Sequence, residues 1–356
     1  MCLVHDLHPY QGRFSPRIPA EILKNNFSKN QRILDPFVGS GTTLLVANQM
    51  GRVAVGIDNS AFACMLSRAK LESYDFKKVQ SSANKLSELI LVNKSYSSHK
   101  SHSSQKSFLS RWFLPQITRE ILFLNSQIQK EKNQKIKQLF QIVLSRSMHS
   151  CLRVPHSFRG ELRRPVPEKY FCSKHQKFCH PPTSLLPFFQ RYLIDTISAL
   201  QESHDHLSRA RWQIIHADSR NVAIPGKFHG VITSPPYMGQ IDYQKDHAYA
   251  FETFNLKHST NNEIGSRAKG RRENARKRYI SDIAQVLNNC QKYLLPGFKI
   301  LLVFNDHYQT LEKILSRANL KIVDVSDCIK SHPSNKKDRR CEEKIIKLFP
   351  KNKLGA

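Results

Sequence analysis

Residues 32–58 read RILDPFVGSGTTLLVANQMGRVAVGID, and this stretch decides the fold. Arg32-Ile33-Leu34 is a short apolar run ending at Asp35-Pro36, the mark of a strand handing over to a loop. Glycines follow at 39 and 41, and Thr43–Met50 reads as a helix stopped by Gly51. Val53–Ile57 is then a second strand, ending at Asp58. Strand, loop, helix and strand in that order are the unit of a parallel sheet with crossover helices.

The loop is built for a ligand. Gly39 and Gly41 permit positive φ and carry no Cβ, so a ligand can lie against the backbone. Amides at the start of the helix face the same space, and Asp58 can accept two hydrogen bonds from a ribose diol. No Gly-Lys-Ser/Thr follows, so this is not a phosphate P-loop. Leu44 stands where the third glycine of the dinucleotide fingerprint belongs. The bland alternative is a tight turn with a structural Asp-Pro.

Strand-like runs resume at Ile214–Asp218, Gly230–Thr233 and Lys299–Phe304. Between the two sets lies a different kind of chain. Asn93–Ser107 is Ser-, Lys- and His-rich and reads as an exposed linker. Ile117–Ile128, Ile136–Met148 and Leu185–Leu207 carry apolar residues at threes and fours, a helical period. Arg153–Pro182 reads as Pro-, Arg- and Cys-rich coil. The expected organisation is one α/β domain, a mostly parallel sheet with helices on both faces, interrupted by a mainly helical insertion. Residues 1–92 form the half that carries the ligand loop, 93–212 the linker and insertion, 213–350 the other half, and 351–356 a tail.

Composition narrows the partner. The chain has 356 residues, 40% hydrophobic and 24% charged, which is a folding rather than a disordered composition. Lys and Arg number 56 against 28 Asp and Glu, a formal net charge of +28. Such an excess repels itself in the compact state, which points to a polyanionic partner and against a cationic ligand. No apolar run reaches membrane-spanning length, and Met1–Asp6 lacks a basic flank followed by an apolar core. A cytoplasmic chain with no membrane partner is expected. The eight cysteines are scattered, as thiols in a reducing compartment are.

After the strand at Gly230–Thr233 comes Ser234-Pro235-Pro236-Tyr237. Two successive prolines fix φ and lack amide hydrogens, and Ser234 before a proline is held extended. A stiff strand end then presents a hydroxyl, carbonyls and an aromatic face in fixed directions. That set suits a planar group carrying an exocyclic amine. Ser234 Oγ and the Pro235 carbonyl can accept its two N–H bonds while Tyr237 stacks on the ring. The bland alternative is a proline-terminated edge strand with a core tyrosine.

Together these segments resemble the S-adenosylmethionine-dependent amino-methyltransferases of DNA. Asp35-Pro36-Phe37-Val38-Gly39-Ser40-Gly41-Thr42-Thr43 is similar to that family's cofactor loop. Thr233-Ser234-Pro235-Pro236-Tyr237 is similar to its catalytic motif, in the Ser-first form typical of cytosine-N4 enzymes. His8-Pro9-Tyr10-Gln11-Gly12-Arg13-Phe14-Ser15-Pro16 resembles the segment that closes over the methionine moiety. Gly56-Ile57-Asp58 resembles the ribose-binding position, and His216-Ala217-Asp218 the one that contacts the adenine amine. The order, with cofactor segments first, departs from the commonest cytosine-N4 arrangement.

The resemblance implies a Rossmann-like methyltransferase fold and S-adenosyl-L-methionine as cofactor. Tyr10, Phe14, Asp35, Pro36, Phe37, Gly39, Ser40, Gly41, Thr42, Asp58 and Asp218 would bind it, and Ser234, Pro235, Pro236 and Tyr237 would be catalytic. The implied reaction is direct methyl transfer to a flipped base in double-stranded DNA. No Pro-Cys occurs, so the covalent route of carbon-5 cytosine enzymes is not expected. Cytosine-N4 methylation within a restriction–modification system, beside a cognate endonuclease, is the leading expectation. Adenine-N6 methylation, RNA amino-methylation and a binding protein without catalysis are the alternatives.

Two further segments carry chemistry. Lys269–Arg278 (KGRRENARKR) is densely basic and Lys330–Arg340 is a second such run. In a nucleic-acid enzyme Lys269, Arg271, Arg272, Arg276, Lys277 and Arg278 would contact phosphates, which position DNA without reading it. Cys172-x2-His175-x3-Cys179 with adjacent His180 has the softness and spacing of tetrahedral zinc. There is no clear second pair, so the fourth ligand would have to be His180, Cys151 or something distant. The segment is therefore expected to hold thiols rather than a metal.

Overall fold

The computed structural model describes residues 3–13, 15–92, 103–155, 165–259, 263–328 and 343–351. Among them the elements run α1 (Arg17–Asn26), β1 (Ile33–Asp35), α2 (Thr42–Gln49), β2 (Ala54–Asp58) and α3 (Ala61–Leu71). Then come α4 (Phe76–Val92), α5 (Ser103–Trp112), α6 (Pro115–Gln129) and α7 (Gln134–Cys151). A short hairpin, β3 (Tyr170–Cys172) and β4 (Lys177–Cys179), precedes α8 (Leu186–His204). The chain continues with β5 (Trp212–His216), β6 (Phe228–Thr233), α9 (Tyr243–Asp246), α10 (Ala248–Phe254) and α11 (Glu273–Gln291). It ends with β7 (Leu294–Phe304), α12 (Leu311–Arg317), β8 (Leu320–Asp327) and β9 (Lys344–Pro350).

These elements form two compact units. One comprises Gln11–Leu71, Leu207–Asp242 and Ser259–Ala356; the other comprises Met1–Tyr10, Glu72–His206 and Tyr243–His258. The division differs from the expected halves. Residues 72–92 fold as α4 with the helical unit, and so do the first ten residues and the segment 243–258.

The first unit is a seven-stranded sheet in the order β5-β2-β1-β6-β7-β9-β8. From β5 to β7 every pairing is parallel, and β9 runs antiparallel to both of its neighbours. This is the Rossmann-like fold expected. Starting at β1, the chain builds outward through β2 and β5, then returns to add β6 and β7 on the other side. The order thus reverses between β1 and β6, and ligands of open α/β sheets bind at the carboxyl ends of the strands at such a point.

The central strands are buried on both faces, which explains their unbroken apolar runs. β1 is wholly buried; Val231, Ile300, Leu302 and Phe304 lie in one core with α11 and α12, and the alternate residues Ile232, Leu301 and Val303 are buried too. β7 starts earlier than the expected Lys299, because Pro296-Gly297 is taken up where the register with β6 shifts. The last two strands, β9 and the edge strand β8, were not visible in the sequence pattern, and most of β8 is exposed.

In the helical unit the apolar stripes are the expected ones. Ile117, Ile121, Leu124 and Ile128 line α6, and Phe189, Leu193, Ile197 and Leu200 line α8. A buried carboxylate, Glu120 on α6, accepts from the Leu185 amide at 2.6 Å and from the Ser184 hydroxyl. It supplies the anion that the start of α8 lacks in its own cap. The expected coil at 153–182 contains the β3–β4 hairpin. No helix among the described residues is long and apolar enough to cross a membrane.

Gly56 in β2 shows how tightly the loop packs on the sheet. A Cβ there would stand 2.6 Å from Val38 Cγ2 and 2.9 Å from Leu44 Cδ2. Gly56→Val should therefore cost about 1–3 kcal/mol by overpacking. A clear drop in melting temperature checks this, and an unchanged one would contradict the packing described.

Candidate active site

Three carboxylates and the proline motif meet the carboxyl ends of four adjacent strands. Asp35 ends β1, Asp58 ends β2, Asp218 follows β5, and Ser234-Pro235-Pro236-Tyr237 follows β6. All lie in the sheet unit.

Asp35 is buried, and its Oδ1 accepts from Thr233 Oγ1 at 2.6 Å and from the Phe37 amide at 3.1 Å. This bond joins the expected cofactor loop directly to the expected catalytic segment. Burial pushes the Asp35 carboxyl up to about 6, against the pull of the hydrogen bonds from Thr233 and Phe37.

The loop itself is held from beneath. Gly39 and Gly41 have φ of 49° and 83°, the left-handed region that glycine enters without strain. The Gly39 amide donates to Asp58 Oδ2 at 2.9 Å, and the Ser60 amide donates to Asp58 Oδ1 at 2.8 Å. Burial raises the Asp58 pKa, and these amides together with His216 offset part of that. From α3, Ser67 Oγ donates to the Gly39 carbonyl at 2.7 Å and Lys70 Nζ to the Ser40 carbonyl at 2.9 Å. Lys70 is only 1% exposed, so a buried ammonium helps to brace the loop. The Pro36 carbonyl accepts from Ser219 Oγ at 2.6 Å, and Phe37 packs half-buried on the core.

The buried hydroxyls of Ser40 and Thr42 have no hydrogen-bond partner in the described structure. Two unsatisfied hydroxyls beside a helix start and a carboxylate are the donor set a polar ligand with a ribose would fill. The loop thus fits a nucleoside cofactor such as the one the resemblance implies.

Asp218 keeps its place, but Arg220 forks its carboxylate, with Nη2 at 2.6 Å and Nε at 3.0 Å. The same guanidinium reaches Asp282 on α11 at 2.8 Å. Burial works to raise the Asp218 pKa, and the bonds and charge of Arg220 overcome it, leaving it below the usual carboxylate value.

In the motif, Ser234, Pro236 and Tyr237 are half-buried and Pro235 is buried. Tyr237 sets its edge on Phe304, 6.1 Å between ring centres, and its hydroxyl donates to Glu343 at 2.8 Å. Tyr279 of α11 donates its hydroxyl to the Pro236 carbonyl at 3.0 Å. Thr233, Ser67, Lys70, Arg220, Tyr279 and Glu343 are the residues sequence reasoning missed as site residues. None left a clear local signal; Lys70 stands one turn from Ser67 in a helix that also carries Arg68.

Tyr10 lies in the helical unit, stacked on Tyr243 at 5.7 Å and on His247 at 5.3 Å. Phe14 and Lys330–Arg340 lie outside the described residues.

The basic segment 269–278 divides in two. Arg271 donates to the Gly239 carbonyl at 2.9 Å, Arg276 to Gln309 O at 3.0 Å and Lys269 to Glu263 O at 2.5 Å. Arg272, Lys277 and Arg278 are exposed. A cleft of about 210 Å³ lined by Met238, Ser266, Lys269, Arg278 and Tyr279 opens beside the motif.

A loop that fits a nucleoside beside the Ser-Pro-Pro-Tyr end of β6 is the arrangement expected of an amino-methyltransferase. The comparisons agree. Residues 5–69 match the N6/N4 methyltransferase family model, described as DNA methylase. The type II methyltransferase M.MjaII of Methanocaldococcus jannaschii is 31% identical over 90% of this chain and 75% of its own length. The chain belongs to the N6/N4 DNA methylase family. Two solved structures of the rRNA methyltransferase aviRa from Streptomyces viridochromogenes align over 98% of this chain and 90% of theirs. They do so at 10% identity, with TM-scores of 0.38 and 0.39.

The raised Asp35 pKa gives a signed prediction. The folded chain binds this proton more tightly than the unfolded chain does, so the proton stabilises the fold fully below about pH 4. That contribution, on the order of 2–3 kcal/mol, is lost as pH rises through about 6. Relative to Asp35→Asn, the wild-type melting temperature should therefore fall between about pH 4 and about pH 7. Parallel melting curves across that range would refute the shift.

Proposed function

We propose that this DNA methyltransferase modifies the exocyclic N4 amine of cytosine in double-stranded DNA, as the modification half of a restriction–modification pair. The observation that carries the reading is the seat of Ser234-Pro235-Pro236-Tyr237. It follows β6 at the switch point, and the preceding Thr233 is bonded to Asp35 of the cofactor loop. The Ser-first form resembles cytosine-N4 enzymes, and the similarity to a type II methyltransferase supports a cognate endonuclease as partner.

When bound, S-adenosylmethionine supplies a methyl group on a sulfonium, which leaves a neutral thioether. Asp58, the hydroxyls of Ser40 and Thr42, and the amides that open α2 are the groups that would hold it. Phe37 and Asp35 shape the same pocket from the end of β1. The rest of the task is orientation.

Ser234 Oγ and the Pro235 carbonyl accept the two amine protons of the flipped base, drawing its nitrogen toward a pyramidal shape with the lone pair exposed. Once the methyl group is on nitrogen, the surplus amine proton leaves along the hydrogen bond to Ser234 Oγ as that hydroxyl releases its own proton to solvent water. Tyr279, bonded to the Pro236 carbonyl, keeps the strand end from swinging. Tyr237 is anchored at its hydroxyl by Glu343 and at its edge by Phe304, which makes it a fixed wall for the base. Arg272, Lys277 and Arg278, with Lys269 in the neighbouring cleft, contact phosphates, while Arg271 and Arg276 brace their own backbone.

The test is incubation of the purified chain with labelled S-adenosylmethionine and unmethylated genomic DNA, followed by nucleoside mass spectrometry. N4-methylcytosine is expected. N6-methyladenine would overturn the base assignment, and label in RNA alone would overturn the substrate. Ser234→Ala should lower turnover about a hundredfold or more with cofactor affinity nearly unchanged. Wild-type turnover in that variant would remove Ser234 from the mechanism.

A further inference from the structure

The β3–β4 hairpin lies outside everything the methyl-transfer site uses. Its strands have three residues each, and they pair antiparallel with Tyr170 opposite Cys179 and Cys172 opposite Lys177. Behind it is a very small core of Tyr170, Cys172, Cys179 and Val166. Phe171 and Phe178, which might have thickened that core, are 57% and 60% exposed and meet edge to face at 5.8 Å. A hairpin of this size is marginal in water, and folds that lack apolar mass are commonly stapled by a metal or a disulfide.

The turn brings a third ligand toward the two sulfurs. The Gln176 amide donates to the Cys172 carbonyl at 2.8 Å, closing the loop Cys172–Gln176. Gln176 sits at φ 54°, a left-handed conformation that a non-glycine residue adopts at a cost. The result places His175 Nδ1 3.5 Å from Cys179 Sγ. One ligand atom each from Cys172, His175 and Cys179 lie within 4.8 Å of one another. The cysteines are buried and the histidine is exposed, so the cluster faces outward along the imidazole.

We propose that Cys172, His175 and Cys179 bind a zinc ion that clasps this hairpin. Two thiolates and one imidazole match the soft and borderline ligands of zinc, and two thiolate charges cancel those of the ion. The neutral site sits in a stretch carrying Lys169, Lys174 and Lys177, where an uncompensated cation would be repelled. His180, next in sequence, bonds the Glu168 carbonyl through Nδ1 at 2.9 Å. It stands outside the three-residue cluster, so the fourth position belongs to water or to His180 after a side-chain rotation. The role is structural: the ion pins the hairpin within the stretch between α7 and α8.

The test uses the full chain purified under reducing conditions. Elemental analysis should find about one zinc per chain. Cobalt loaded in place of zinc should give the near-ultraviolet band of thiolate-to-metal charge transfer. Cys172→Ser and Cys179→Ser should each lose the metal, while Cys64→Ser, away from the hairpin, should keep it. His180→Ala separates the two choices for the fourth ligand, since only a direct ligand weakens zinc retention when removed. Chelation should speed proteolysis within residues 165–185. The proposal fails if the wild-type chain holds no stoichiometric zinc and shows no cobalt–thiolate band. It fails equally if Cys172 and Cys179 are found joined as a disulfide.

Discussion

One hydrogen bond ties the molecule's chemistry together: Thr233 Oγ1 to Asp35 Oδ1, 2.6 Å long and closing 198 residues of chain. It lies where β1 and β6, paired in register at Ile33 with Gly230 and Leu34 with Val231, run out of backbone partners. Parallel strands there diverge into two loops to which the proposed function gives different ligands, a nucleoside and an amine. A buried carboxylate shared between them fixes their separation. Burial raises the energy of that carboxylate's charge, which is tolerated only because hydroxyl and amide donors meet it.

The remaining contacts are a second tier that makes this bond useful. Asp58 holds the Gly39 amide, and Ser67 and Lys70 hold the next two loop carbonyls, so the loop is fixed from both polarities. On the other side, Tyr279 and Glu343 hold the motif by a carbonyl and a phenol. Orientation is most of what an amino-methyltransferase must supply, since the methyl donor is already activated. The energy of folding is thus directed into immobilising two short loops.

How much of this was legible in the sequence follows from how far apart the partners are. The stretch from Ile33 to Asp58 carries its own glycines, strand runs and helix stop, and the structure reproduces it within a residue or two. The Ser-Pro-Pro-Tyr end of β6 is equally local. Lys70, Tyr279 and Glu343 act on carbonyls and a phenol brought near by the sheet, and no spacing rule exposes such pairings. Arg271 and Arg276 were expected to contact phosphates, and each bonds a backbone carbonyl of its own unit, a pairing no charge run reveals. The hairpin at 170–179 was read as coil because three-residue strands leave no periodicity. The division of the chain also escaped, since α4 carries a helical stripe that either unit could bury.

The central claim is that the cofactor loop and the amine-holding strand end are one mechanical unit joined at Asp35 and Thr233. A double-mutant cycle on Asp35→Ala and Thr233→Val, each of which removes one partner of the bond, read in kcat and in S-adenosylmethionine affinity, tests it directly. The account predicts strong non-additivity, with the double variant hardly worse than either single one, because each change alone breaks the same bond. Losses that simply add would mean the two segments are set independently, and the account would be wrong.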